Sequence, residues 1–266
     1  MSDRTPPFTV QQIGTSPFRF SSGIPIPTMM DASTDPYFRS RVPKETQVEG
    51  IQFWPQEKGT YPGLVVLHEA WGLNVQIKNV AHRLACEGYA VIVPNLYGRQ
   101  GGMVTAAADV ASTLAQRAKE SDLLQDINSC CEFLNTRDMV KRNLHGVIGF
   151  GMGGSLAILF ACRRKRLRAA VAYYADVTTP LTVLKELFCP ILYHRAGADP
   201  TVTDEQIERL IQGGREAGKN IDIQTYTDAP HAFCDESRKE QFRAEAARRS
   251  WESTITFLKG CFQTDR

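Results

Sequence analysis

Short apolar runs alternate along the chain with longer segments in which apolar residues recur at helical spacing. A run of about four to eight apolar residues is typical of a buried parallel strand, whereas intervals of three and four predict an amphipathic helix. The clearest strand candidates are GLVVLH (63–68), YAVIVPN (89–95) and LHGVIGF (144–150). The clearest helix candidates are VQIKNVAHRLACEG, which ends at Gly88, and GSLAILFACRRK.

The alternation continues to the end of the chain. Further predicted strands are TQVEGIQFW (46–54), RAAVAYY (168–174), CPILYHR (189–195) and IDIQTYT (221–227). Residues 104–136 have the pattern of two polar helices, Thr203 is a candidate cap for the helix after it, and residues 237–260 form a closing amphipathic helix. Strands that alternate with helices predict an α/β fold, with a mostly parallel sheet covered by helices on both faces.

Residues 1–45 have a different character, because they are rich in Pro, Ser and Thr and lack periodicity. We expect an irregular N-terminal extension over residues 1–45 and one α/β domain over residues 46–266. The extension carries aromatic residues that we expect to dock partly on the domain, namely Phe8, Phe18, Phe20, Tyr37 and Phe38.

Composition excludes several classes of protein. The 266 residues are 42% hydrophobic and 23% charged, with a net charge of +2, which gives no electrostatic case for a nucleic-acid or membrane partner. The basic run RRKRLR (163–168) is interpreted as a solvated helix end. Seven scattered cysteines without C-x-x-C spacing argue against a disulfide framework and a zinc site. Without an apolar run near ~18 residues or a signal segment, we expect a reduced, cytoplasmic protein.

The hexapeptide GFGMGG (149–154) has two interpretations. It satisfies G-x-G-x-x-G after a strand and before a helix, and Asp176 lies near the ~20-residue distance at which an acid would bind a ribose. It also has the frame G-x-nucleophile-x-G of a strained turn that presents a catalytic Ser or Cys. In the second interpretation Gly151 occupies the position of the nucleophile.

The order of polar residues along the chain favours the nucleophile turn. Asp199 follows one predicted strand in RAGADPTV, and His231 follows the next in DAPHAFC. Nucleophile, acid and histidine succeed one another in this order in α/β-hydrolases, each on a loop after a strand. The carboxyl ends of parallel strands meet at one sheet edge, so we expect an Asp199–His231 hydrogen bond beside Gly151.

The chain resembles the dienelactone hydrolase family of α/β-hydrolases. The resemblance covers about residues 47–260 and is carried in order by LVVLHEAWGLN, VPNLYGRQGG, GFGMGG, YHRAGADPTV, APHAFCDES and AARRSWESTITFLK. It implies a Cys–Asp–His triad and a glutamate that meets the thiol, at Gly151, Asp199, His231 and Glu69. It further implies oxyanion donors at the amides of Ala70 and Met152, a small ester or lactone as substrate, and no metal or organic cofactor.

The resemblance also implies which residues contact the substrate. Arg99 matches an arginine that grips a substrate carboxylate, but the position of the second such arginine is Asp235, which would repel an acid. Trp71, Tyr97 and Phe233 either line an apolar pocket or pack the loops. Without a thiol, Glu69 pairs with Arg99 or orients a water. His68 and His194 are interpreted as core histidines.

Glycine has no nucleophile, so we expect weak or absent ester and lactone hydrolysis, whether Gly151 is inherited or an introduced substitution, although the turn itself tolerates glycine well. Ser155 and Cys234 are candidate replacements, Ser155 pointing elsewhere and Cys234 sterically more plausible. The alternatives are a binding protein that has kept the pocket without catalysis and, less favoured, a dinucleotide-dependent oxidoreductase. The oligomeric state stays open, as monomer or homo-oligomer.

Overall fold

A computed structural model describes residues 5–22 and 46–263, which contain one eight-stranded sheet with the order β1-β2-β4-β3-β5-β6-β7-β8. Strands β3 to β8 are parallel, and β1 and β2 add two antiparallel strands at one edge. This is the predicted α/β architecture, with its mostly parallel sheet. No helix in the described part of the chain is long and apolar enough to cross a membrane.

The strands occupy the predicted positions from residue 46 onward. They are β1 (Ile13–Ser22), β2 (Thr46–Pro55), β3 (Tyr61–Leu67), β4 (Ala90–Pro94), β5 (Val140–Phe150), β6 (Leu167–Tyr173), β7 (Ile191–Ala196) and β8 (Ile221–Tyr226). The helices are α1 (Val75–Cys86), α2 (Ala108–Arg117), α3 (Glu120–Asn135), α4 (Met152–Ala161), α5 (Leu181–Leu184), α6 (Asp204–Glu216) and α7 (Ala244–Gln263). Short 3₁₀ turns cover Val10–Gln12 and Gly98–Gln100.

Apolar cores lie on both faces of the sheet, which explains why its central strands are apolar throughout. Successive residues of β3 alternate between the two cores: Leu64 belongs to the core that includes residues of α1 and α7, and Val65 to the core that includes residues of α3, α4 and α6. Helices therefore cover both faces, as predicted. Thr203 caps α6 by accepting a hydrogen bond from the Gln206 amide.

The N-terminal segment differs from the expectation of an irregular extension. Residues 13–22 form β1, which pairs along its whole length with β2. Its Phe18 and Phe20 stack on Phe133 of α3, which agrees with the expected docking of aromatics. Phe8 packs edge-on against Tyr61, whereas Tyr37 and Phe38 lie outside the described residues.

The basic run at 163–168 is partly structural. Arg164 is buried, and its guanidinium contacts Glu132 and Asn128 of α3. The neighbouring Arg163, Lys165 and Arg166 are exposed. One of the charges thus serves the packing of α3 against the start of β6.

Candidate functional site

The turn between β5 and α4 places Gly151 in a backbone conformation that disfavours a side chain. Its φ of 50° and ψ of −119° lie in the left-handed half of backbone space, where glycine alone has no steric cost. The Gly151 amide donates to the Tyr173 carbonyl, and the Gly151 carbonyl accepts from the amides of Gly154 and Ser155. The sharp turn is therefore held at both ends.

The remaining glycines of GFGMGG are explained by close packing of protein against protein. A Cβ at Gly149 would lie 1.9 Å from the Gly153 carbonyl oxygen, and one at Gly153 would lie 2.4 Å from the Leu67 carbonyl oxygen. A Cβ at Gly154 would lie 2.8 Å from that of Ala175. These glycines let α4 approach the strands, a role that needs no bound pyrophosphate.

Asp199 and His231 meet as the chain order predicts. The two residues lie on the loops that follow β7 and β8, and His231 Nδ1 lies 2.7 Å from Asp199 Oδ2. Asp199 also accepts from the amide and hydroxyl of Thr201, at 3.0 and 2.7 Å. The Asp199 side chain is only 1% exposed. A buried acceptor held in this way fixes His231 with its proton on Nδ1 and a lone pair on Nε2.

The surroundings of His231 change its acidity. Burial is the largest influence and by itself lowers the pKa of His231, but the hydrogen bond to Asp199 and the nearby charges of Glu69 and Asp199 outweigh it. The pKa of His231 is therefore raised above its ordinary value of 6.5. Burial by itself would raise the pKa of Asp199, but the hydrogen bonds from His231 and Thr201 outweigh burial. The pKa of Asp199 is therefore lowered.

Glu69 and His231 both lie beside the space that a side chain at position 151 would occupy. A Cβ at position 151 would lie 3.5 Å from His231 Nε2 and 3.5 Å from Glu69 Cγ. A Ser or Cys side chain would project into this space and reach the imidazole. The structure therefore brings together the four positions Gly151, Asp199, His231 and Glu69 that the resemblance implies.

The Glu69 carboxylate is held by two donors. Tyr174 Oη donates to Oε1 at 2.8 Å, and Trp71 Nε1 donates to Oε2 at 3.1 Å. Burial raises the pKa of Glu69, and this effect exceeds the opposing influences of His231, Tyr174 and Arg238. Trp71 thus positions Glu69, a role that the sequence interpretation did not give it.

Arg99 does not pair with Glu69. Its guanidinium forms a fork on the Asp126 carboxylate, at 2.7 and 3.1 Å, with Asp122 at 3.6 Å. The expected Arg99–Glu69 pair is therefore wrong for this structure. The two acids of α3 also compete with the expected contact between Arg99 and a substrate carboxylate.

Tyr97 and Phe233 pack in the interior next to the site. Both side chains are fully buried, so they form no open wall of a pocket. Tyr97 Oη donates to the Ala70 carbonyl at 3.0 Å and lies 3.7 Å from Met152 Sδ. Tyr97 therefore joins the two loops whose amides are the expected oxyanion donors. Within the described residues, neither the Ala70 nor the Met152 amide has a backbone acceptor.

The strand-end histidines have the structural roles expected of them. His68 is fully buried, with Nδ1 at 2.7 Å from the Glu69 carbonyl and Nε2 accepting from the Leu96 amide. His194 contacts the hydroxyls of Tyr226 and Thr254. Because His68 ties the ends of β3 and β4 together, it also fixes the backbone of Glu69.

Arg238 is a residue of the site that the sequence interpretation missed. Its guanidinium lies 3.9 Å from the centroid of the Trp71 ring, and its Nε lies 3.4 Å from Asp235 Oδ2. Its positive charge lowers the pKa values of both Glu69 and His231. Asp235, in turn, is occupied by Ser237 and Arg238. The Arg238 guanidinium therefore lies next to Asp235, the position at which the sequence alone indicates a carboxylate that would repel an acidic substrate.

Two non-glycine residues beside the site adopt positive φ. They are Tyr174, with φ of 37°, and Ala232, with φ of 62°. Such conformations are costly for side-chain-bearing residues and cluster at functional sites. Here they aim the Tyr174 hydroxyl at Glu69 and turn the chain directly after His231.

The candidate replacement nucleophiles point away from His231. Ser155 Oγ donates to the Asp176 carbonyl at 2.6 Å, which agrees with the expectation that it points elsewhere. Cys234 Sγ contacts Ser250 Oγ of α7 at 3.4 Å, and burial raises the pKa of this thiol to about 12. A thiol that stays protonated at neutral pH is a poor nucleophile.

Comparisons with known proteins agree with the fold and the site. The profile of the Dienelactone hydrolase family matches residues 48–262. A relative from Methylorubrum extorquens, named "Putative carboxymethylenebutenolidase", is 30% identical over 74% of this chain and 72% of its own length. A relative of the same name from Escherichia coli is 29% identical over 77% and 79%.

A solved structure titled "Putative Dienelactone Hydrolase", from Klebsiella pneumoniae, superposes with a TM-score of 0.75. It is 22% identical and covers 92% of this chain and 99% of its own, which establishes the shared fold. Together with the family profile, which spans most of the residues from β2 to α7, these likenesses show that the chain belongs to the dienelactone hydrolase family.

Proposed function

We propose that this protein binds a small ester or lactone in the site around Gly151 and hydrolyses it slowly, with water in place of a side-chain nucleophile. The observation that carries the proposal is the position of His231 Nε2, which would lie 3.5 Å from a Cβ at Gly151. His231 and Asp199 are hydrogen-bonded, which supports a role as base and orienting carboxylate, and the space beside them can hold a water instead of a thiol. Hydrolysis then takes one direct step to the tetrahedral intermediate.

The reaction needs no co-reactant other than water. Neutral His231 takes a proton on Nε2 while the water oxygen bonds to the substrate carbonyl carbon. The amides of Ala70 and Met152 stabilise the oxyanion, and the intermediate then expels the alkoxide, which receives the proton from His231. Asp199 stabilises the imidazolium between these two steps. The products are a carboxylic acid and an alcohol, or one hydroxy acid from a lactone.

A small cavity beside Glu69 supports a role for water. It has a volume of about 20 Å³ and is lined in part by Glu69, Asn74, Gln76 and Tyr174. About 10–15 Å³ is enough for one water, provided that polar groups hold it. Glu69 borders both this cavity and the space at Gly151, where a water would meet the substrate.

The test is turnover of nitrophenyl acetate and of a simple lactone by the purified native chain. We expect His231→Asn and Asp199→Asn each to lower kcat/KM by about 10²-fold, since a general base contributes roughly that much or more. Ser155→Ala is the matched control and keeps the native rate, because the Ser155 hydroxyl is hydrogen-bonded to the Asp176 carbonyl. A native rate that is unchanged in His231→Asn would overturn the proposal.

The second candidate, a non-catalytic binder, is favoured by the glycine at position 151. It predicts measurable affinity for an ester analogue together with a native hydrolysis rate equal to that of His231→Asn. Tight binding of NAD would instead favour the dinucleotide interpretation. Isothermal titration with both ligands separates the two outcomes.

We further propose a cytoplasmic location. It is supported by the seven scattered cysteines, whose spacing shows no disulfide framework, as expected in a reducing compartment. Fractionation of the native host tests it, and recovery outside the cytoplasm would contradict it.

A further inference from the structure

Exposed apolar side chains are concentrated beside the candidate site. Within the described residues, the strongly exposed large hydrophobic side chains are Val10 at 63%, Val75 at 71%, Met103 at 49% and Val104 at 51%. Met103 and Val104 belong to the loop that follows β4, and Val75 is the first residue of α1, directly after the loop that follows β3; we call these three residues the entrance patch. A Cβ at Gly72 would lie 2.5 Å from the Met103 carbonyl oxygen and 3.2 Å from Val104 Cα, so the two loops touch.

The entrance patch is connected to Glu69 by two hydrogen bonds. The Thr105 amide donates to the Trp71 carbonyl at 3.1 Å, and Trp71 Nε1 donates to Glu69 Oε2. The loops that carry the patch leave the sheet at the carboxyl ends of parallel strands, as do those that carry Gly151 and His231. A molecule with its carbonyl at Gly151 therefore has an apolar surface close by.

The backbone holds this apolar surface outward. Gly101 and Gly102 precede Met103 with φ of 86° and 69°, two consecutive left-handed residues that reverse the chain after the 3₁₀ turn. A Cβ at Gly102 would lie 2.6 Å from Asn95 Nδ2, so that position also needs glycine for space. The segment that follows, MVTAA, carries no charge. Unbranched Met103 adapts readily to ligands of different shape.

We propose that the entrance patch binds the aliphatic part of an ester or lactone whose carbonyl lies at Gly151. This inference rests on the proposed function and gives it a substrate class, compounds with an alkyl chain or an aliphatic ring. A second copy of the chain is a poorer occupant, because three side chains supply only a small part of the ~800 Å² that each partner buries in a stable interface. The neutral, aliphatic character of the patch also complements an alkyl group better than a charged one.

The test is the affinity of the native chain for alkyl trifluoromethyl ketones of increasing length, whose hydrates resemble the tetrahedral intermediate. Each methylene that the patch covers lowers Kd by about two- to fourfold, since full burial of a CH₂ corresponds to roughly fourfold. In the triple variant Val75→Ser, Met103→Ser, Val104→Ser we expect this dependence on length to disappear, with the Kd of the shortest ketone unchanged. Titration calorimetry gives all the values.

Val10→Ser is the matched control, because Val10 is equally exposed but lies on the N-terminal 3₁₀ turn. It keeps the native dependence on length. Dependence that survives in the triple variant, or is absent from the native chain, overturns the proposal. So does a native dimer in sedimentation that the triple variant dissociates, since the occupant is then a second copy.

The measurement separates this proposal from the proposed function because it reads binding and not turnover. A native chain that binds longer ketones more tightly but hydrolyses esters no faster than His231→Asn upholds the entrance patch and overturns hydrolysis by water. A native chain that hydrolyses esters but shows the same Kd for every ketone length does the reverse.

Discussion

At the scale of single residues, the residue at position 151 decides whether the site can only bind a substrate or can also attack it with a side-chain nucleophile. We expect Gly151→Cys to raise kcat/KM for nitrophenyl acetate by about 10²-fold or more, because the new thiol meets His231 Nε2 and Glu69 and loss of a triad nucleophile costs up to ~10⁶ in rate. Gly151→Ala is the control, since it adds the Cβ without the thiol. Equal rates for the two variants would contradict the geometry of the site.

Arg238 is a second residue whose effect can be measured alone. Its charge lowers the pKa of His231, so Arg238→Gln raises that pKa. Hydrolysis requires neutral His231, and we therefore expect the acidic limb of the pH–rate profile to move to higher pH in the variant. The control is Arg163→Gln, an exposed arginine near the end of α4 remote from Gly151, which keeps the native profile. A limb that moves to lower pH would refute the assignment.

At the scale of elements, the order of strands and loops could be predicted, and the contacts between distant loops could not. Apolar runs predicted β3 to β8, the order of polar residues on the loops after strands predicted Asp199 and His231, and the family resemblance implied Glu69. The hydrogen bond from Tyr174 to Glu69 joins residues 105 positions apart, and the stacking of Arg238 on Trp71 depends on how two loops fold. No pattern in the local sequence predicts such contacts.

Strand β1 was missed for a related reason. Its sequence IGTSPFRFSS contains Pro17, which removes a backbone donor and argues against an interior strand. Proline is acceptable at the edge of a sheet, and β1 is the edge strand. Only the pairing with β2 reveals it.

Phe18 is the residue through which we expect β1 to stabilise the domain. Phe18 is buried and lies among Phe20, Phe133 and the core beneath α3. We expect Phe18→Ala to lower the free energy of unfolding by about 3 kcal/mol, measured by urea denaturation. Thr15→Ala, at an exposed position on the same strand, should change it by less than about 0.5 kcal/mol. A similar small loss for Phe18→Ala would show that β1 detaches easily.

At the scale of the whole molecule, buried neutral histidines make stability depend on pH. Burial is the main cause that lowers the pKa values of His68 and His145 from 6.5 to about 4, and that of His194 to about 3. The unfolded chain therefore takes up protons first as the pH falls below 6.5. We expect stability to decline from pH 6.5 towards pH 4, by roughly 2 kcal/mol for each histidine at pH 5.

His145 allows this dependence to be assigned. It is fully buried, and neither ring nitrogen has a hydrogen-bond partner in the described part of the chain. We expect His145→Leu to keep the stability at pH 7 and to reduce the loss between pH 7 and pH 5, because it removes one group that must stay uncharged. Urea denaturation at both pH values measures this. An unchanged loss would place the pH dependence elsewhere.

The relaxed backbone at Gly151 has a consequence for the durability of the protein. A residue with a side chain at this corner would have to hold positive φ, where strain of about 1–3 kcal/mol is stored. This chain is free of that strain, which is a sizeable fraction of the net stability of an ordinary domain. The residue at position 151 therefore changes thermal stability and the rate of turnover in opposite directions. Selection for a stable binding protein would favour glycine at this position.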